Sequence, residues 1–89
     1  MQINDAISTA LAKEGYPGGV DDQVVDWLQA AGATGGNIDD LWHSYWDSQL
    51  VPAGQYNDKY AIWLTALGFT QGSLDDKQLA YWTDRYSQP

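Results

Sequence analysis

A three-residue phrase, an apolar residue followed by Asn or Asp and then Asp, returns five times along this chain. It reads Ile3-Asn4-Asp5, Val20-Asp21-Asp22, Ile38-Asp39-Asp40, Tyr56-Asn57-Asp58 and Leu74-Asp75-Asp76. The starts are separated by 17 residues once and by 18 residues three times. A fixed period of this length means that one small structural unit is copied along the chain. It also constrains function, because a side chain present in every unit serves first to build that unit. The units run 3–19, 20–37, 38–55, 56–73 and 74–89, within a single domain of residues 1–89.

Set in register, each position acquires a structural task. Asn and Asp are strong N-cap residues, and a carboxylate in the first turn suits the positive end of the helix dipole. The phrase therefore predicts five helix starts, with Asn4, Asp21, Asp39, Asn57 and Asp75 as the caps. The apolar residue before each cap fits the outer half of a hydrophobic staple. About ten residues on, Gly15, Gly32 and Gly68 stand where a helix-ending residue takes the left-handed conformation. Tyr16, Ala33, Val51 and Phe69 follow the stop position in four units. In the third unit Leu50 replaces the glycine, so that helix is expected to run on or to end differently before Pro52.

Between start and stop the apolar residues fall at i, i+3, i+4 and i+7, the period of one helix face. The pairs Ala10-Leu11, Trp27-Leu28, Tyr45-Trp46, Trp63-Leu64 and Tyr81-Trp82 join Ile7, Val24, Trp42 and Tyr60 before them, and Ala31 and Leu67 after them. The expected fold is all-α: five short helices of about ten to twelve residues joined by loops of about six, as a compact bundle or a short solenoid. Helices this short are marginal alone, so neighbouring units must complete each other's core. The first and last units read as end caps, or as termini ordered against a partner.

Charge limits the partners. Twelve acidic residues against four basic ones give a formal charge of −8. Such a surface repels phosphate backbones and anionic lipids, so neither direct nucleic-acid nor membrane binding is expected. No apolar run approaches the ~20 residues of a transmembrane helix. No basic region followed by an apolar stretch marks a secretory signal. With no Cys, disulfides and thiolate metal sites are excluded.

Chemistry has few candidates. The adjacent acids lack the alternating spacing, central Gly and terminal Glu of an EF-hand-type loop, so no metal is expected. Five equivalent carboxylate pairs do not suit a glycosidase, whose acid pair is normally unique. His43 is the single histidine; a Ser–His–Asp set can be drawn with Ser44 or Ser48 and Asp47, but no nucleophile-elbow context surrounds it. The Gly18-Gly19 and Gly35-Gly36 pairs lack the Gly-Lys-Ser/Thr of a phosphate loop and read as turns. No catalytic residue and no cofactor is expected.

Five Trp, six Tyr and one Phe are a heavy aromatic load for 89 residues. Core packing is the first use of such residues. Trp and Tyr are also typical interface anchors, which makes Trp27, Trp42, Trp46, Trp63 and Trp82 the candidate interface. Sugar stacking is a further use, but Trp-bearing sugar-binding repeats of similar period are β-hairpins, and the helix-start pattern does not fit them.

Gly72-Ser73-Leu74-Asp75-Asp76 with Leu79-Ala80-Tyr81-Trp82, and Trp63-Leu64 with Leu67-Gly68-Phe69-Thr70, resemble a repeat of small proteins and terminal segments of tailed bacteriophages. The resemblance extends over nearly the whole chain and is strongest from Val20 to Trp82. It implies a virion-associated protein, present in multiple copies, docked on head, neck or tail proteins and carrying no catalytic residues. Asn4, Asp21, Asp39, Asn57 and Asp75 match the cap position of that repeat. The competing reading is an acidic inhibitor of a host defence protein that acts as a nucleic-acid mimic.

Overall fold

Every recurring phrase starts a helix. In the computed structural model, which describes residues 1–87, α1 spans Ile3–Lys13, α2 Val20–Ala30, α3 Ile38–Ser48, α4 Tyr56–Ala66 and α5 Leu74–Tyr86. No strand occurs among the described residues, so the fold is all-α.

The caps lie two residues earlier than the Asx spacing predicts. The apolar residue of each phrase is the first helical residue, and the N-caps are Gln2, Gly19, Asn37, Gln55 and Ser73, all in extended conformation. Asn4, Asp21, Asp39, Asn57 and Asp75 therefore sit in the second helical position. The reason is packing: Ile3, Val20, Ile38, Tyr56 and Leu74 lie against the core, which draws them into the first turn. The aspartate that closes each phrase becomes the third helical residue. In α3 the Asp40 N–H donates to Asn37 Oδ1 at 2.9 Å, and the Asn37 N–H donates to Asp40 Oδ2 at 3.4 Å. In α5 the Asp76 N–H donates to Ser73 Oγ at 3.3 Å, and the Ser73 N–H donates to Asp76 Oδ2 at 3.1 Å. Each is a capping box with Asp in the place usually held by Glu or Gln.

The helix stops are more uniform than the sequence indicates. The backbone N–H groups of Tyr16, Ala33, Val51 and Phe69 donate five residues back, to the carbonyls of Leu11, Leu28, Trp46 and Leu64, at 2.9–3.0 Å. Gly15, Gly32 and Gly68 hold the left-handed conformation this turn requires. Leu50 holds it as well, with φ 63°. The third helix thus ends like its neighbours, and the missing glycine is met by backbone strain rather than by a longer helix.

Inward-facing residues recur at four register positions, one of which the apolar pattern does not indicate. The extra position holds Ala6, Gln23, Leu41 and Lys59, all buried. Gln23 donates through Nε2 to Tyr16 O at 2.9 Å and to Ser8 O at 3.3 Å, pinning α2 to the preceding unit. Lys59, only 5% exposed, donates to Asp47 Oδ1 at 2.7 Å and ties α4 to α3. Ala31 and Leu67 do not extend the buried stripe. Each is the C-cap of its helix and is exposed.

Each helix packs on its neighbours in sequence, and α5 packs back on α1 over the most extensive of these contacts. The five helices therefore form a closed ring, a thick disc of 31 × 31 × 20 Å, and not an open solenoid. The two terminal units, which read as end caps, cover each other.

Aromatic side chains fill the ring. One register position supplies Trp27, Tyr45, Trp63 and Tyr81 from successive helices, with neighbouring ring centroids 5.4, 5.7 and 5.0 Å apart. Trp27 meets Trp82 edge-on at 5.4 Å, joining α2 to α5 across the middle. Trp42, Trp46 and Tyr60 form a second cluster, with centroids 5.0–5.2 Å apart. Such aromatic pairs contribute about 0.5–1.5 kcal/mol each beyond their burial.

Two expectations follow. Leu50→Gly relieves the left-handed strain and raises the unfolding free energy by about 1 kcal/mol, to be read from denaturant midpoints. An unchanged or lower stability contradicts the strain. Burial also raises the phenol pKa values of Tyr60 and Tyr56 well above the usual value near 10. Above about pH 10 the unfolded chain releases phenolic protons that the folded chain retains. Stability is therefore complete below pH 10 and falls as pH rises beyond it, which thermal melts between pH 8 and 11.5 will register.

Candidate interaction surface

The five tryptophans are not the interface. Trp27, Trp42, Trp46, Trp63 and Trp82 are at most 6% exposed. A ring of helices leaves a central space, and the largest side chains are what fill it. Trp82 Nε1 donates to the Tyr60 hydroxyl at 3.2 Å inside this core. The Trp46 indole N–H and the Gln23 side-chain carbonyl are buried with no hydrogen-bond partner among the described residues.

The residues of the paper triad each have another engagement. The His43 ring meets Trp46 and Tyr56 edge-on at 5.9 and 5.8 Å. Ser44 Oγ accepts the Thr34 N–H at 3.0 Å and fastens the α2–α3 loop. Ser48 donates to Tyr45 O at 2.6 Å, and Asp47 pairs with Lys59. Among the described residues, no group of three or more His, Asp or Glu side chains is placed to hold a metal ion. Among the same residues, no helix is long and apolar enough to cross a membrane.

The α1–α5 seam carries the densest polar cluster. The Arg85 guanidinium donates from Nε to Glu14 Oε2 and from Nη2 to Glu14 Oε1, both at 2.6 Å. Its Nη1 donates to the Tyr81 hydroxyl at 2.6 Å. The same group lies 4.7 Å over the Trp27 ring and 5.6 Å from that of Trp82. Lys13 Nζ donates to Tyr86 O at 2.8 Å alongside. The hydrogen bond to Glu14 raises the Arg85 pKa beyond its already high value. Position alone does not reveal this cluster in the sequence. Its one signal is that Arg85 is the sole arginine.

All twelve carboxylates are exposed, and an acidic shell surrounds the aromatic core. Apart from Met1, which is 67% exposed at the N-terminus, the shell opens along one edge. Leu50, Ile62 and Leu67 are 90%, 43% and 50% exposed, and all belong to α4 or to the turns at its ends. A shallow groove of about 580 Å³ lies between Phe69 and α5, lined by Asp76, Leu79, Ala80, Thr83, Asp84 and Ser87. Sequence periodicity does not find this edge, because it ranks residues by face and not by how neighbouring units fill each other's surface.

The chain matches no protein-family model, no curated protein and no solved structure.

The seam gives a test of ring closure. Arg85→Lys keeps the charge but loses the two-point grip on Glu14 and the planar stacking on Trp27. It is expected to lower the unfolding free energy by about 1–2 kcal/mol, with Glu14→Gln adding little once Arg85→Lys is in place. Full additivity in that double-mutant cycle contradicts a direct coupling.

Proposed function

We propose that this chain is a non-enzymatic structural accessory protein of a tailed-phage virion, docking on head, neck or tail proteins in several copies per particle. One observation carries the reading: the recurring residues are used to build the fold. The tryptophans form the core, the closing aspartates stand in the first helical turns, and the stop residues make the turns. What faces outward is an acidic shell with one apolar edge, a surface suited to contact with other proteins. The resemblance of Gly72–Trp82 and Trp63–Thr70 to phage repeat segments supplies the particle.

The exposure of all twelve carboxylates favours a second reading, an acidic inhibitor that mimics nucleic acid in the basic channel of a host defence protein. One experiment separates the two: quantitative mass spectrometry of purified particles against the infected-cell lysate. A virion accessory co-purifies at fixed stoichiometry with the head or tail proteins. Absence from particles overturns the virion reading, and tight salt-sensitive binding to a host nuclease then supports the inhibitor.

A further inference from the structure

The groove beside α5 joins apolar and acidic groups in one concave surface of about 580 Å³. Phe69, Leu79 and Ala80 supply the apolar part, and Asp76 and Asp84 the charge. Ala80 stands midway between the two aspartates in sequence, and their eight-residue separation spans about 12 Å of helix axis. Both carboxylates are exposed, and no basic side chain lines the groove among the described residues. Of the two basic residues of α5, Arg85 is held by Glu14. The other, Lys77, occupies the register position at which Gln23, Leu41 and Lys59 face inward. Ala80 is also the smallest residue at its own register position, where the other helices carry Thr9, Asp26, Ser44 and Ile62. The middle of the groove therefore has room for a side chain from outside.

Asp84 sits where the helix dipole gains nothing from a carboxylate. The aspartates of the recurring phrases stand in first turns, at the positive end of each helix. Asp84 stands in the last turn of α5, where the carbonyl groups already carry partial negative charge. The two add, and this end of the groove favours a cation. We propose that the groove docks a basic amphipathic helix of a partner protein, with an apolar side chain over Ala80 and a Lys or Arg at each aspartate. A helix lying along α5 presents those cations about seven residues apart on one face, with apolar residues between them. The formal charge of −8 draws such a segment in from a distance, and the groove fixes where it seats. The proposal rests on the reading of this chain as a docking protein and names the chemistry of what it docks.

Titration of a synthetic helical peptide into the nitrogen-15-labelled chain tests it, the peptide carrying Arg about seven residues apart on one face and Leu between them. The expected amide shifts cluster in residues 69–87. Binding weakens by roughly tenfold from about 0.05 to about 0.5 M NaCl, since salt screens attraction between opposite charges. Ala80→Arg, at an exposed position, fills the groove and reverses its charge, and abolishes binding with helical circular dichroism unchanged. Asp84→Asn weakens binding by roughly three- to tenfold. No binding, binding that salt or Ala80→Arg leaves intact, or equal binding of the peptide with Glu in place of Arg overturns the inference. Shifts spread evenly over the starts of all five helices overturn it as well, because they mark general attraction to the acidic shell. The particle measurement separates this proposal from the reading beneath it. Protein present in particles but blind to the peptide overturns the groove alone, and protein that binds the peptide but is absent from particles overturns the virion reading alone.

Discussion

Closing a five-helix ring with no hole through it depends on filling the centre, and large aromatic rings do that here. Trp27, Tyr45, Trp63 and Tyr81 enter from one register position of four successive helices, and each touches the next. Trp82 and Arg85 complete the contact back to Trp27. Helices of 11 residues cannot hold themselves. Their geometry is set by what this hub accepts. The acids, caps and turns at the periphery orient each helix so that its bulky residue reaches the middle.

α1 enters this arrangement differently. It offers Ala10 where its neighbours offer an aromatic residue, and it buries only Ala6, Ile7, Ala10 and Leu11. It is held instead by α5, through side-chain packing and the polar bonds of Arg85 and Lys13. The guanidinium suits the seam because its flat face stacks on Trp27 while its edge grips Glu14. Gln23 and Lys59 do comparable work between α1 and α2 and between α3 and α4. They are polar groups at buried positions, each tied back to the preceding unit.

Much of this is legible in the sequence, and the parts that are not share a cause. Five helices, their spacing and three of the stops follow from local preferences of Asx, Asp and Gly. The Asx residues point to the wrong cap positions because Asn and Asp are good caps in general, whereas the start is decided by the need of Ile3, Val20 and their equivalents to reach the core. The capping boxes of Asn37 with Asp40 and Ser73 with Asp76 carry the right spacing, but Gln2, Gly19 and Gln55 hide it in the other units. The tryptophans read as surface candidates because so small a domain need not hold all of its aromatic residues inside. Ring closure changes that, and nothing local in the chain announces closure. Leu50 keeps the turn at the cost of strain because the surrounding hydrogen bonds are those of its neighbours.

The seam between α1 and α5 also bears on how the chain comes to fold. Arg85 and Glu14 are separated by 71 positions, and Lys13 and Tyr86 by 73. During synthesis the apolar face of α1 emerges first and finds its most extensive partner last. Helix-by-helix growth, which completes an open stack of units, leaves the largest contact of α1 unmade until the end. Closure of the ring must wait until the fifth helix has left the ribosome.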